Sequence, residues 1–414
     1  MIVTAVAVGT RGDVNPLAEL GEDMIKSGHE FRILTSEAFR PLIESKGLTF
    51  LRLDTDADHV MKYLVTDYRT SRDFVKGLFK LKKENPGFME QTLSAIKGSD
   101  LVMYGTCSAF ARHAAEYLGI KCARYFYSPM DPTAQYSLYT DDFDSDKVLK
   151  SYNGLPDGMS LMTMIALNKW RKSAGLPKWK ISSRYTELGG RKVLTFYPTS
   201  PLLMPPDPAW GDHIHVTGYW YHPEESIKEY EEPKELKDFL TAGERPVFVA
   251  FGKAESPELA RLQLLTLEAL KKTGIRAVVQ AFQMPEKDRI NTDKLFFIDN
   301  VPYAYIFDKV RAVVHHGGNT TNGLGLRAGL PTLVIALALD QYFYGRVDHK
   351  VGCGPKPLYI RKKLCTVEEI ADSLRELVSG KYDVTAQKIS EQIMKENGVV
   401  DAVKAIEDYI SEGK

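Results

Sequence analysis

The first 130 residues alternate short apolar, often β-branched runs with stretches of helical periodicity. In the helical stretch 17–27, apolar Leu17, Leu20 and Met24 recur three or four residues apart, and the stretch Ala109–Leu118 is followed by a glycine. The strand-like runs are Ile2–Val8, Phe31–Thr35, Leu48–Leu53, Asp100–Tyr104 and Ala123–Tyr127. This alternation predicts βαβ units and a parallel sheet.

The same alternation restarts after an acidic, proline-containing segment. Residues 221–235 contain six acids and two lysines, a net charge of −4, and lack apolar periodicity, which is typical of a solvated linker. The later strand-like runs are Pro246–Phe251, Ala277–Gln280, Leu295–Ile298, Ala312–Val314 and Thr332–Leu337, with helical patterns over Pro257–Lys272 and from about Thr320. We therefore predict an α/β protein of two domains, residues 1–220 and 236–395, joined by this linker.

Charge and composition exclude several classes of protein. The chain has 54 Lys+Arg and 54 Asp+Glu, so its formal net charge is zero, which argues against a dedicated nucleic-acid binder. The four cysteines lack CxxC spacing, which excludes a zinc ribbon or a dithiol redox motif. No apolar stretch approaches the roughly 18–20 residues of a spanning helix, and the N-terminal segment lacks signal-peptide features. We expect a cytoplasmic protein.

The strongest local signal is the segment 313–322, Val-Val-His-His-Gly-Gly-Asn-Thr-Thr-Asn. An apolar strand runs into two histidines and two glycines, and a helix then opens. Glycines at such a turn let the backbone approach a ligand, and the helix N-terminus offers free N–H groups and partial positive charge. The pattern predicts a phosphate seat, and the plainer alternative is that the histidines only cap a helix. The predicted phosphate seat comprises His316, Gly317, Gly318, Asn319, Thr320 and Thr321.

The strand after the phosphate seat ends at Asp340-Gln341. Ligands of open α/β sheets bind at the carboxyl ends of strands. A carboxylate and an amide together supply acceptors and donors suited to sugar hydroxyls. The dipeptide carries little information alone, but its position one strand after the phosphate seat predicts contacts to a sugar.

The first strand also ends in a glycine-containing loop, Gly9-Thr-Arg-Gly-Asp-Val-Asn-Pro16. The glycines are spaced GxxG rather than GxGxxG, so a dinucleotide fingerprint is weak. Thr10, Arg11 and Gly12 can face a phosphate. Asp13 can act as a general base at the edge of the sheet, or it can simply cap the helix that follows, and the local sequence favours neither.

In their order along the chain, these motifs resemble the family 1 glycosyltransferases, most closely the sterol glucosyltransferase and glycopeptide glycosyltransferase branch. The segments that carry the resemblance are Gly9–Pro16, Thr217-Gly-Tyr-Trp220, Phe251-Gly252, Val301-Pro302, His315–Gly318 with Thr321, Leu326-Arg-Ala-Gly-Leu-Pro331 and Asp340-Gln341. The resemblance implies a GT-B fold, in which two Rossmann-like domains with parallel sheets face an interdomain cleft. It also implies donor binding by the C-terminal domain, acceptor binding by the N-terminal domain, and a C-terminal helix, within residues 396–414, that returns to the N-terminal domain.

The resemblance further implies roles for single residues. Asp13 matches the family's catalytic base, and His316 matches its pyrophosphate-binding histidine. The donor-sugar contacts are matched by Asp340 and Gln341, and the nucleobase-holding segment by Val301 and Tyr303.

Three residues depart from the family pattern. Lys253 stands where the family usually has serine, Tyr303 where it has histidine, and Thr320 where it has glycine. Lys253 places a cation near the expected phosphates. It either indicates an acidic or otherwise unusual donor sugar or replaces a hydroxyl contact.

These expectations define an inverting glycosyltransferase that needs no metal and no cofactor other than its co-substrate. It would move a hexose from a nucleotide diphosphate sugar, with a UDP-sugar expected, to a hydroxyl group of a lipophilic acceptor such as a sterol, lipid or natural product. No DxD motif occupies a fitting strand end, which agrees with the absence of a metal requirement. Two alternatives remain open: a nucleotide-sugar epimerase of the same fold, and a catalytically silent relative that binds nucleotide sugar or lipid.

One surface segment suggests how a lipophilic acceptor could reach the protein. Residues 71–83 contain five cations and one acid, and their pattern predicts a basic amphipathic helix. Such a helix, at Arg72–Lys83, can bind an anionic membrane surface, which would place the protein peripherally on the inner face. The alternative is a surface helix whose apolar side packs on its own domain.

Overall fold

The computed structural model describes residues 1–55, 63, 71–138, 140–152, 167–180, 185–222, 230–252, 257–282, 284–337, 340–360 and 365–412. They form two compact units, Met1–Tyr221 with Asn397–Lys414, and His222–Glu396. The boundary thus falls at the start of the acidic segment 221–235, of which residues 223–229 lie outside the described residues.

Each unit is built on one parallel sheet, so the predicted α/β class is confirmed. The first unit has seven strands in the order β3-β2-β1-β4-β5-β8-β9, beside a small antiparallel pair, β6-β7, and the second has six in the order β12-β11-β10-β13-β14-β15. The strands are β1 Ile2–Val6, β2 Glu30–Thr35, β3 Thr49–Arg52, β4 Leu101–Tyr104, β5 Lys121–Tyr125, β6 Glu187–Leu188, β7 Arg191–Lys192, β8 Leu194–Tyr197, β9 Ile214–Val216, β10 Val247–Ala250, β11 Ala277–Gln280, β12 Leu295–Ile298, β13 Ala312–His315, β14 Thr332–Ala336 and β15 Leu358–Tyr359.

Helices connect most of these strands, as is usual for parallel pairing. They are α1 Arg11–Lys26, α2 Arg40–Ser45, α3 Ser71–Glu84, α4 Phe88–Ile96, α5 Phe110–Leu118, α6 Asp146–Ser151, α7 Lys234–Thr241, α8 Pro257–Thr273, α9 Tyr303–Phe307, α10 Asn319–Arg327, α11 Asp340–Lys350, α12 Val367–Leu377, α13 Asp383–Ile393 and α14 Gly398–Ser411. Within the described part of the chain, no helix has the length and apolarity needed to cross a bilayer.

The central strands are apolar because helices cover both faces of the sheets. In β4 and β10 every residue is buried, and neither strand alternates polar with apolar positions. This is the pattern expected of parallel sheets, which are buried on both sides. The two faces of the second sheet contribute to separate apolar clusters, one containing Val249 and Leu270, the other Phe248 and Phe307.

The C-terminal helix α14 belongs to the core of the first unit. Its apolar residues Val399 and Ile406 lie in one cluster with Leu17 and Leu20 of α1. Lys121 donates hydrogen bonds to the carbonyls of Tyr409 and Ile410 near the helix end, at 3.3 and 3.0 Å. A cation there satisfies carbonyls that the helix itself leaves unpaired.

Both sheets reverse the direction of strand addition beside their first strand. In the first unit, β1 pairs with β2 on one side and with β4 on the other, and in the second, β10 pairs with β11 and β13. Such switch points leave a crevice at the carboxyl ends of the strands, where ligands of open α/β sheets bind. The loops after β1 and β13 lie at these two points.

Candidate functional site

The loop after β1 wraps closely around the carboxylate of Asp13. Gly9 adopts φ +155°, and a Cβ atom at this position would lie 2.2 Å from Asp13 Oδ2. Any side chain here would therefore displace the carboxylate. Glycine is required because the backbone approaches Asp13, a reason that differs from the dinucleotide-binding role considered above.

Asp13 is the third residue of α1 and forms a capping box with Thr10. The Thr10 backbone N–H donates to Asp13 Oδ2 at 2.7 Å, the Thr10 hydroxyl donates to the same oxygen at 3.2 Å, and Gly12 N–H donates to Thr10 Oγ1. This arrangement satisfies N–H groups that the helix start leaves unpaired. The capping interpretation of Asp13 thus describes the local structure, and it leaves a second role for the carboxylate open.

The electrostatics of Asp13 are those of a potential proton acceptor. Burial raises the pKa of Asp13 to about 6, against the hydrogen bonds from Thr10, which lower it. The carboxylate is therefore mainly ionised at pH 7 but much more basic than an exposed aspartate, a property that suits general base catalysis. Tyr127 lies beside it and donates a 3.4 Å hydrogen bond to the Asp13 backbone carbonyl.

The neighbouring loop residues are more open to solvent. Arg11 is exposed, and its Nε donates to Asn15 Oδ1 at 3.4 Å. Gly12 is exposed and Thr10 is half-buried, with its side chain engaged in the capping box. Contacts of Thr10, Arg11 and Gly12 with a phosphate stay predictions.

In the second unit, the two adjacent histidines have different roles. His315 is fully buried at the end of β13, and its Nδ1 accepts the backbone N–H of Gly317 at 3.0 Å. Burial lowers the pKa of His315 to about 3, so the ring is neutral and Nδ1 can accept. His315 shapes the turn from inside the protein.

His316 is half-buried at the surface of the same turn. A Cβ atom on Gly318 would lie 2.6 Å from His316 Nε2, and one on Gly252 would lie 3.6 Å from its Cε1, so two glycines make room for the ring. Burial lowers the pKa of His316 to about 4, although a hydrogen bond with the Ala250 backbone raises it. At pH 7 the ring is neutral and would donate to a phosphate as an imidazole N–H.

The rest of the phosphate seat forms the first turn of α10. Gly318 is the N-cap residue, and Asn319 and Thr321 are buried while Thr320 is half-buried. Gly317 has φ +92°, a conformation that favours glycine. The glycines and the open helix start are the features that a bound anion requires.

The predicted sugar contacts lie next to the phosphate seat. Asp340 and Gln341 are the first two residues of α11 and are half-buried. Gln341 Oε1 accepts the backbone N–H of Leu337 at 2.8 Å, which ties this side chain to the end of β14. A Cβ atom on Gly317 would lie 2.9 Å from the Gln341 carbonyl oxygen, so the structure brings the two predicted subsites into contact.

The predicted nucleobase segment lies at the start of α9. Val301 is buried, and the ring of Tyr303 stacks on Phe307 with centroids 5.2 Å apart. The Tyr303 hydroxyl donates to Gln280 Oε1 at 3.1 Å, at the end of β11. Tyr303 therefore joins the start of α9 to the end of β11. Nucleobase binding by this segment stays a prediction.

Two further predictions concern metal binding and Lys253. Among the described residues, no group of three or more His, Cys, Asp or Glu side chains is arranged to hold a metal ion. Lys253 lies outside the described residues.

Sequence reasoning missed a buried polar network behind the phosphate seat. Tyr344 donates to Asn319 Oδ1, and Asp348 accepts hydrogen bonds from Asn322 and Thr332. One signal was available in the sequence. Asp340, Tyr344 and Asp348 are spaced four residues apart, which places them on one side of a helix.

Two family models match this chain. Residues 3–134 match the glycosyltransferase family 28 N-terminal domain, and residues 269–408 match the erythromycin biosynthesis protein CIII-like C-terminal domain. The first match lies within the first unit, and the second covers much of the second unit and continues into the C-terminal segment of the first. Each includes one of the switch-point loops.

Alignments with named relatives and with solved structures cover nearly the whole chain. The sterol 3-beta-glucosyltransferase of Debaryomyces hansenii is 29% identical over 429 residues, covering 97% of this chain and 26% of that protein. This chain thus spans about a quarter of that relative. A crystal structure of the glycotransferase of kitacinnamycin superposes with a TM-score of 0.74 at 14% identity, covering 99% of both chains. The spinosyn rhamnosyltransferase SpnG complexed with thymidine diphosphate gives 0.68 at 17% identity, covering 98% of this chain and all of that one.

Fold and family matches together define the class of this protein. The chain belongs to the glycosyltransferases of the GT-B fold, as its motifs predicted. Within that class it is related to sterol glucosyltransferases, and its residues 269–408 match a domain of an erythromycin biosynthesis protein.

Proposed function

We propose that this protein transfers a hexose from a nucleotide diphosphate sugar to a hydroxyl group of a lipophilic acceptor, with inversion and without a metal ion. The observation that carries the proposal is the contact between the phosphate seat and the start of α11. A glycine turn, a neutral histidine and a helix N-terminus adjoin a carboxylate and an amide, the groups needed for a diphosphate and a sugar.

The proposed reaction divides its chemistry between the two units. Asp13 of the first unit takes the proton of the acceptor hydroxyl as the oxygen attacks the anomeric carbon of the sugar. The bond between that carbon and the diphosphate oxygen breaks, and its electron pair leaves with the diphosphate. His316 and the first turn of α10 stabilise the negative charge that develops on the leaving group. Attack from the opposite side inverts the anomeric centre.

The donor is proposed to be a UDP-sugar, and thymidine diphosphate sugars are the obvious competitor. SpnG was crystallised with thymidine diphosphate, which supports a nucleoside diphosphate as the leaving group. A thermal-shift series with UDP-glucose, TDP-glucose and GDP-glucose tests this assignment. A rise in melting temperature with UDP-glucose alone supports a UDP-sugar donor. A rise with only one of the other nucleotide sugars would assign the donor to that nucleotide instead.

The acceptor class is proposed from the relatives and from the aromatic surroundings of Asp13. The Debaryomyces relative is named a sterol 3-beta-glucosyltransferase, and Tyr127 lies against the Asp13 backbone. The test is mass-spectrometric detection of hexosylated products from a panel of sterols, other lipids and polyketides. Hydrolysis or epimerisation of the donor without any acceptor would indicate the epimerase alternative, and tight donor binding without turnover would indicate a silent relative.

Access to such an acceptor is proposed to involve helix α3. Its lysines Lys76, Lys80 and Lys83 are exposed, and Phe79 has 56% of its surface exposed, so cations and an apolar ring share this helix surface. Arg72 contributes a further charge, although its side chain lies outside the described residues. Co-sedimentation with vesicles containing phosphatidylserine tests the proposal. Binding that is unchanged when the three exposed lysines become glutamine would refute it.

A further inference from the structure

Two neighbouring helices carry the predicted donor contacts. Helix α10 begins with Asn319 of the phosphate seat, and α11 begins with Asp340 and Gln341. The loop before α10 meets the start of α11 backbone to backbone, because a Cβ atom on Gly317 would lie 3.1 Å from Gln341 Cα. The position of one helix relative to the other therefore determines how far the two subsites are apart.

A first hydrogen bond joins the helices at the phosphate seat itself. The hydroxyl of Tyr344, one turn into α11, donates to Asn319 Oδ1 at 2.6 Å. Tyr344 has no exposed surface, and Asn319 has 9%. The tyrosine hydroxyl donates to the amide oxygen and so fixes the orientation of the amide group, including its nitrogen. That nitrogen is the end of the side chain that can donate to an anion.

A second connection lies one helical turn further on. Asn322 Nδ2 donates to Asp348 Oδ1 at 3.1 Å, and the hydroxyl of Thr332 in β14 donates to Asp348 Oδ2 at 3.2 Å. All three side chains are at least 99% buried. The carboxylate thus links α11 both to the phosphate-binding helix and to the strand between them.

Buried polar groups of this kind are costly unless their partners are correctly placed. An apolar contact between the helices would tolerate small shifts along their axes. Directional bonds at two successive turns hold only one register. Since Asp340, Tyr344 and Asp348 follow at intervals of four residues, one side of α11 carries both the sugar contact and the two connections.

We propose that Tyr344 and Asp348 are positioning residues that hold the phosphate seat in register with Asp340 and Gln341, so that a nucleotide sugar meets both subsites at once. This inference rests on the proposed function. Neither residue touches the donor in this arrangement: Tyr344 acts through Asn319, and Asp348 acts through Asn322 and the position of α10.

The test measures the affinity of the full chain for UDP and TDP by isothermal titration calorimetry. Tyr344→Phe removes one buried hydroxyl and keeps the ring, and the expected result is a two- to tenfold rise in Kd, about the effect of one hydrogen bond. Tyr382→Phe is the matched control in the same unit, because its hydroxyl donates to Glu376 Oε1 at 2.5 Å rather than to the phosphate seat. The control should change Kd by less than about twofold.

A double-mutant cycle separates positioning from a general loss of stability. Asn319→Ala should raise Kd at least as much as Tyr344→Phe, and adding Tyr344→Phe to Asn319→Ala should raise it no further. Independent, multiplying effects of the two substitutions would show that Tyr344 does not act through Asn319. If Tyr344→Phe did not fold, Asn319→Ala would be measured by itself. An unchanged Kd in Asn319→Ala would overturn the inference.

Asp348 is tested by comparing two replacements. Asp348→Asn keeps an oxygen for Asn322 and supplies an amide toward Thr332, so Kd should stay within about twofold. Asp348→Ala removes both bonds and should weaken binding more. Equal affinities for these two variants would remove Asp348 from the proposal. A wild-type chain that binds neither UDP nor TDP would instead refute the proposed function, whereas wild-type binding that Tyr344→Phe leaves intact refutes only the inference.

Discussion

The loops after β1 and β13 each lie at the switch point of their sheet, yet burial has opposite consequences in them. In the first loop it raises the pKa of Asp13 to about 6, and in the second it lowers the pKa of His316 to about 4. Both shifts have one cause, since removal from water disfavours whichever form is charged. Their result at pH 7 differs: the aspartate is mostly still an anion that can take a proton, while the histidine is already neutral. Burial of a side chain in a loop at a switch point can therefore yield either a base or an uncharged donor.

The first test of these separate roles removes the proposed base, Asp13, and leaves His316 unchanged. Asp13→Asn should lower kcat by about 10²–10⁴-fold, the usual contribution of a general base, and leave the Kd for UDP nearly unchanged. Thr10→Val is a useful companion, because it removes the capping hydroxyl and keeps the carboxylate. Steady-state kinetics that show near-normal turnover in the asparagine variant would reduce Asp13 to a helix cap.

The complementary change removes the neutral donor. His316→Ala should raise the Kd for UDP by about 10–100-fold, because the variant loses a hydrogen bond to a charged oxygen. Calorimetry measures this directly. The pattern expected across the two loops is reciprocal: the Asp13 variant loses turnover and keeps binding, and the His316 variant loses binding. Equal loss of affinity in both variants would contradict the separate roles.

A pH profile should distinguish the two groups without any mutation. Because Asp13 must be ionised to accept a proton, kcat/KM should fall roughly tenfold per unit below pH 6. His316 is neutral down to about pH 4 and contributes nothing to this limb. This fall in kcat/KM at low pH should be absent from the residual activity of Asp13→Asn. If the fall persists in that variant, the titrating group is a residue other than Asp13.

The smallest expected effect concerns stability and a third buried group. Burial raises the pKa of Asp348 to about 7, so between pH 4 and 7 the folded protein retains a proton that the unfolded chain has lost. Stability from this group is therefore greatest at low pH and declines as the pH rises. Asp348→Asn should remove that decline, so the free energy of unfolding of the variant should exceed that of the wild type by more at pH 7 than at pH 4. Urea denaturation at the two pH values checks the sign.

Much of the fold could be predicted because its signals are local. Apolar runs such as those of β1 and β13 stand out, and glycines with capping residues mark where helices begin. Asp13 and His316 could be proposed as site residues for the same reason, since each follows a strand. The connections through Tyr344 and Asp348 were not found, because their partners lie in a different helix and strand. Hydrophobic periodicity does not show that a polar residue within a helix is buried and paired. The different roles of His315 and His316 also depend on burial, which the sequence does not reveal for adjacent identical residues.

The placement of α14 has a consequence for the order in which the molecule is made. Its residues Val399 and Ile406 complete the core around Leu17 and Leu20, although they lie at least 379 positions further along the chain. During synthesis on the ribosome, the apolar surface of the first unit that α14 covers therefore stays exposed until the whole second unit has been synthesised. Expression of residues 1–221 alone should give a fragment that binds chaperones or aggregates, and addition of a peptide covering residues 397–412 should restore solubility.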